Sequence, residues 1–103
     1  MKRQRLPNRR RAETVDIEVA GSQYQLSVGY FPDGRIGELF IAGPKSGSDV
    51  HGLLADLGVV ISRLFQHGDT PASLAAGMAR LGDGETPASI VGTIADALAG
   101  ETK

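Results

Sequence analysis

The side chains able to do chemistry are few and widely separated. His51 and His67 are the only imidazoles. Sixteen residues apart on one helix, they stand ~24 Å from each other on nearly opposite sides, so they cannot share a metal ion. His67 falls in the last turn of a helical pattern, where a cation complements the dipole. Glu38, within Gly37-Glu-Leu-Phe40, is the carboxylate that stands out, because the strand around it is otherwise apolar. Acid–base catalysis would need a second group in reach. None is nominated, so Glu38 reads as a sheet-margin residue that faces solvent or pairs with Arg35 or Lys45. Gly43-Pro-Lys-Ser-Gly-Ser48 precedes a helix. Its backbone N–H groups with Lys45, Ser46 and Ser48 form a candidate anion site at a helix N-terminus. The lysine comes before the second glycine instead of after it, which is not phosphate-loop spacing, and a strand-to-helix turn accounts for the same residues.

The third candidate is electrostatic. Lys2, Arg3, Arg5, Arg9, Arg10 and Arg11 are six of the eleven basic residues, leaving five basic against twelve acidic side chains in the remainder, a formal charge of −7. A basic arm on an acidic body can neutralise several phosphates or dock on an acidic protein. The arm has no interleaved aromatic residue for base stacking. Arg5, Arg9, Arg10 and Arg11 are therefore candidate binding residues, with nucleic acid, a nucleotide or an acidic partner as ligand and simple solubility as the alternative. No catalytic residue, metal site or cofactor is nominated. The chain has no Cys, which excludes disulfides and thiol chemistry and fits a cytoplasmic protein. No apolar run approaches the ~20 residues of a membrane span, and no apolar stretch follows the basic start as in a signal peptide.

The elements that must position these residues follow from periodicity. Residues 1–12 have no hydrophobic period and read as a flexible arm, residues 13–99 as one domain, and 100–103 as a tail. Val15, Ile17 and Val19 alternate with Asp16 and Glu18; Gly21-Ser22 suits a tight turn; Tyr24, Leu26, Val28 and Tyr30 alternate again. After the turn at Pro32-Asp33-Gly34, Arg35 to Ala42 is apolar on both faces, as expected of a strand in the middle of a sheet. Ser48 then caps a long helix whose Val50, Leu53, Leu54, Leu57, Val60, Ile61, Leu64 and Phe65 recur at helical spacing, with Gly68 as its stop. Thr70-Pro71 and Thr86-Pro87 open two shorter helices, the first running to about Leu81. The fold class is α+β: a three-stranded antiparallel meander followed by three helices (β-β-β-α-α-α), the first packed on the sheet. Thin aromatic content, and apolar side chains on both faces of the third strand, leave a second copy of the chain as a further expected partner.

Arg5-Leu-Pro-Asn-Arg-Arg10, Tyr30-Phe-Pro-Asp-Gly-Arg-Ile-Gly-Glu-Leu-Phe-Ile41, Lys45-Ser-Gly47 and Phe65-Gln-His-Gly68 occur in an order that resembles the TSCPD domain of adenosylcobalamin-dependent (class II) ribonucleotide reductases. The resemblance runs from Arg5 to Leu98 and is most specific over Asp33–Ile41. It implies an accessory domain standing alone in the context of deoxyribonucleotide and DNA synthesis, with a reductase subunit as an expected partner. Two departures matter. Asp49 stands where many members carry a Cys, and Ser89-Ile-Val-Gly92 lacks the Cys and Pro-Asp of the motif that names the domain. A metal or redox role resting on those cysteines has no chemical basis in this sequence.

Overall fold

The computed structural model describes residues 2–19, 21–43 and 49–101. Three strands, β1 (Ala12–Val19), β2 (Ser22–Tyr30) and β3 (Ile36–Ala42), precede three helices, α1 (Asp49–Gln66), α2 (Pro71–Ala76) and α3 (Ile90–Glu101). They fall into two compact units, Met1–Gly68 and Asp69–Lys103.

In the first unit the strands pair antiparallel in the order β1-β2-β3. Gly21, at a φ of 82° that side-chain-bearing residues rarely adopt, makes the first turn possible. The register sets Val15 opposite Leu26, Ile17 opposite Tyr24, Leu26 opposite Ile41 and Val28 opposite Leu39. One sheet face is therefore apolar, and Leu26, Val28 and Leu39 on it are almost wholly buried. The other carries Thr14, Asp16, Gln25, Ser27 and Phe40, and Phe40 is 61% exposed.

The two-sided apolar pattern of Arg35–Ala42 suggested a central strand, and here the structure corrects the sequence. β2 is central and β3 lies at the edge. An edge strand leaves a row of N–H and C=O groups without a ladder partner, and proteins cover such edges. Here α1 does so. The Ser62 hydroxyl accepts a hydrogen bond from Leu39 N–H (2.8 Å) and directs its proton to Gly58 C=O (2.7 Å) and Leu39 C=O (3.2 Å). The Gln66 amide donates to Gly37 C=O at 2.8 Å. Gly58 lets the helix approach this closely, because a Cβ there would stand 3.0 Å from the Leu39 carbonyl oxygen.

Centring the contact on Gly58 splits the expected single helical stripe in two. Leu54, Gly58, Ile61 and Phe65 are buried, whereas Val50, Leu53, Val60 and Leu64 are exposed and Leu57 is half-buried. Ser48, the expected cap of α1, lies outside the described residues.

In the second unit the Thr70 hydroxyl caps α2 through Ser73 N–H, with Pro71 in the first turn, as Thr-Pro predicts. Gly77 ends α2 well before Leu81. The second Thr-Pro does not open α3. Thr86 and Pro87 are held in a turn, where Asp83 accepts from Glu85 N–H, Thr86 N–H and the Thr86 hydroxyl and Pro87 bridges to Arg80. Ser89 caps α3 by accepting from Gly92 N–H. Arg80 grips both Asp96 oxygens (2.7 and 2.9 Å) and donates to Ala75 C=O and Glu85 C=O, joining α2, the turn and α3.

Two outcomes are expected from this packing. Leu54→Ala should cost about 2–5 kcal/mol in denaturant unfolding, and Leu57→Ala clearly less, because Leu57 is only half-buried. The second concerns pH. Hydrogen bonds from Thr86 and the backbone hold the Asp83 carboxyl down at about 2, and the Arg80 guanidinium lowers Asp96. Folded values below the unfolded one stabilise fully above the ordinary aspartate range and are lost as pH falls through the folded values. The protection factors of amides in residues 75–96, which correct for the intrinsic pH dependence of exchange, should therefore fall between about pH 4 and 2, and stay flat from about pH 5 to 7.

Candidate functional site

The basic segment ahead of β1 lies along one end of the sheet, where β1 begins, β2 ends and β3 begins. Gln4 N–H donates to Gln66 C=O at the end of α1 (2.7 Å), and Arg3 Nε donates to the Gln66 side-chain oxygen. Gln4 in turn accepts from Arg35 at 2.9 Å. Tyr30 N–H donates to Arg11 C=O, so the segment leads directly into the β1–β2 ladder.

Arg10 is the centre of this arrangement. Its guanidinium donates to Pro7 C=O and reaches Glu38 at 2.6 Å. Glu38 thus pairs with Arg10, and not with Arg35 as the sequence allowed; Lys45 lies outside the described residues. The pair sits over Gly29, whose absent Cβ would stand 3.1 Å from a Glu38 carboxylate oxygen and 3.5 Å from Arg10 Nε. Any larger residue at 29 would displace it.

The aromatic rings missing from the arm are supplied by β2 and the turn after it, with guanidinium groups already placed over them. Arg11 stands 4.0 Å from the centre of the Tyr30 ring and Arg35 4.7 Å from that of Phe31. Both rings are nearly buried, and Phe31 fills the space that a side chain at Gly37 would take. Burial and the neighbouring Glu13 carboxylate raise the Tyr30 phenol, which donates to Glu13 at 3.3 Å. Each cation is attracted by its ring and loses access to other ligands on that side. These rings are wedges that fix Arg11 and Arg35, and they are not platforms for a base.

Two shallow cavities flank Arg10. One of about 240 Å³ is lined by Arg9, Arg10 and Arg11 with Tyr30 and Phe31; the other, of about 230 Å³, by Arg3, Arg5, Arg10, Glu38 and Gln66. Among the described residues, no ion pair or hydrogen bond engages the Arg5 or Arg9 side chain, and both residues are exposed. They are the arginines of the cavity linings left over for a ligand, one in each cavity. Of the residues nominated from sequence, Arg5, Arg9, Arg10 and Arg11 are brought together here, whereas Lys45, Ser46 and Ser48 lie outside the described residues. Gln66, Glu38, Tyr30, Phe31 and Arg35 were not nominated for binding. The one signal for Gln66 was its place directly after buried Phe65 on the flank of the helix that meets β3.

No three His, Cys, Asp or Glu side chains among the described residues are grouped to hold a metal ion. No helix among them is long and apolar enough to cross a membrane.

Comparison with known proteins gives the family. The TSCPD domain model matches residues 1–101. The chain is 40% identical over 67 residues to a vitamin B12-dependent ribonucleotide reductase of Rhodopirellula baltica, covering 65% of this chain and 6% of that protein. It is 39% identical over 66 residues to the protein of the same description from Agrobacterium fabrum, covering 64% of this chain and 5% of the relative. The matched stretch is thus a small fraction of those curated proteins' length. No solved structure matches.

If Glu38 tethers the arm, Glu38→Gln should speed tryptic cleavage after Arg5, Arg9 and Arg10 several-fold. Overall stability should fall by no more than about 1 kcal/mol, since partly exposed ion pairs contribute little. Equal cleavage rates in the two proteins would show that the ion pair does not hold the segment. The chain belongs to the TSCPD domain family.

Proposed function

We propose that this TSCPD domain is a non-catalytic accessory module of cytoplasmic ribonucleotide reduction, serving DNA synthesis by docking on an acidic surface of a reductase subunit. The observation that carries the reading is the gathering of six arginines at one sheet end with two of them, Arg5 and Arg9, left without partners among the described residues. Four of the six are occupied: Arg3 by Gln66, Arg10 by Glu38, Arg11 by Tyr30 and Arg35 by Asp33 and Gln4. These contacts fix the frame, and the two uncompensated guanidiniums supply the binding charge.

Three arguments support the assignment. The relatives with 39–40% identity are described as vitamin B12-dependent ribonucleotide reductases. The sequence has no cysteine, so it has no thiol to carry reducing equivalents to a ribonucleotide. The remainder of the chain is acidic, which makes nucleic acid a poor ligand for anything beyond the arginine end and leaves a localised acidic patch as the better fit. With the ring faces of Tyr30 and Phe31 already under guanidinium groups, stacked-base recognition is disfavoured as well.

The experiment is retention of the full chain on an immobilised vitamin B12-dependent ribonucleotide reductase at low and high salt, beside single-stranded DNA as a control. Retention at low salt that weakens at high salt is expected. Arg5→Ser with Arg9→Ser should reduce it several-fold and at most about thirtyfold, two exposed ion pairs contributing up to about 1 kcal/mol each. Retention on the DNA alone would make the ligand a nucleic acid, and retention on neither would refute docking through this surface.

A further inference from the structure

Five of the seven exposed large hydrophobic side chains in the described structure lie on one helix: Val50, Leu53, Val59, Val60 and Leu64 of α1. With the half-buried Leu57, four of them form a series: 50, 53, 57, 60, 64. The spacing is three, four, three, four, the heptad seam by which one helix packs on another. The seam is distinct from the surface that meets the sheet. At roughly 100° per residue it lies about a quarter to a third of a turn round the helix from Leu54, Gly58, Ile61 and Phe65. Exposing 65% of Leu53, 54% of Val60 and 47% of Val50 side by side is costly for a surface meant to face water.

The charges beside the seam say what covers it. Asp56 and Arg63 each directly precede a seam residue, one heptad apart, on the side away from the core, and among the described residues neither has an ion-pair partner. In a parallel pair of α1 helices the residue at such a position faces the other flank of the neighbouring seam, which here holds Leu54 and Ile61, already buried in their own core. The charges would be unmatched. In an antiparallel pair the two like flanks face each other, and the sequence is self-complementary. Leu53 packs against Leu64 of the partner subunit and Leu57 against Val60 of the partner subunit. Asp56 then meets the partner's Arg63 at both ends of a two-fold axis.

We infer that the exposed seam of α1 is a homodimer interface in which two copies of this chain pair their α1 helices antiparallel, locked by reciprocal Asp56–Arg63 ion pairs. The interface is separate from the arginine-lined sheet end, so a dimer presents two docking surfaces. Each need not bind tightly, because linking two sites raises the effective affinity.

The test uses the full chain in sedimentation equilibrium. The dimer is expected to become the main species as the concentration rises to roughly 100 μM, a micromolar Kd corresponding to about −8 kcal/mol. Leu53→Glu should give a monomer with unchanged helical circular dichroism, the position being exposed in the single chain. Asp56→Arg or Arg63→Asp alone should weaken the dimer by about tenfold, and the two together should restore it. Orientation is read by a short thiol cross-linker, to which the cysteine-free parent is silent. Leu53→Cys with Leu64→Cys should cross-link efficiently, and Leu53→Cys alone should not. A monomer throughout, or charge variants that fail to compensate, would overturn the interface. Efficient cross-linking through Leu53→Cys alone would overturn the antiparallel arrangement. Because none of these readouts involves the reductase, they stand or fall independently of the docking proposal.

Discussion

The arrangement of the first unit depends on one amide. Gln66 is the only polar residue buried among the described residues, and it serves three segments at once. Its side-chain N–H satisfies Gly37 C=O on the free edge of β3, its side-chain oxygen accepts from Arg3, and its backbone carbonyl accepts from Gln4 N–H. A buried amide is tolerated only when its donors and acceptors are met, and it then specifies one geometry because no other placement meets them all. The edge of the sheet, the end of α1 and the basic segment are therefore set by a common set of hydrogen bonds. Ser62, one turn earlier, repeats the device at Leu39, and Gly58 makes room for both.

How much of this was legible in the sequence follows from the kind of signal each feature leaves. Alternation in β1 and β2 and the helical period of α1 report which residues are apolar, and strands and helix stand where those periods put them. Periodicity does not say which element lies beside which. The doubly apolar β3 looked central because both its faces carry large side chains, yet Phe40 simply remains exposed and the edge is protected from the side by α1. The eight apolar residues of α1 looked like one broad stripe for the same reason. Only the close approach at Gly58 divides them into a core line and an exposed seam. In the second unit, Thr-Pro works as a helix start at Thr70 and fails at Thr86, because the Asp83 carboxylate accepts hydrogen bonds from the Thr86 amide and hydroxyl, holding that threonine in a turn and leaving the cap to Ser89.

The candidate site was half legible. The cluster of arginines is plain in the sequence, and a segment without apolar period reads as an unstructured arm. The missing information is the set of receptors on the folded domain: Glu38 cleared by Gly29, the rings of Tyr30 and Phe31, and Gln66. Glu38, Tyr30 and Gln66 are distant in sequence from the arginines they hold, by as many as 63 residues for Arg3 and Gln66, whereas Phe31 and Arg35 flank one turn. Their effect is to divide the basic charge into a structural part, which anchors, and an available part at Arg5 and Arg9. Net charge alone could not make that division.

The most direct test of this account is amide hydrogen exchange in the parent chain and in Gln66→Met, a substitution that keeps the length of the side chain and removes its polar groups. If Gln66 joins the three segments, exchange should accelerate together at residues 3–5 and at residues 37–39, while the amides shared by β1 and β2 keep their protection. Unchanged exchange across residues 3–5 would contradict the account, because the arginine-bearing segment would then be placed without the amide on which the whole arrangement is argued to rest.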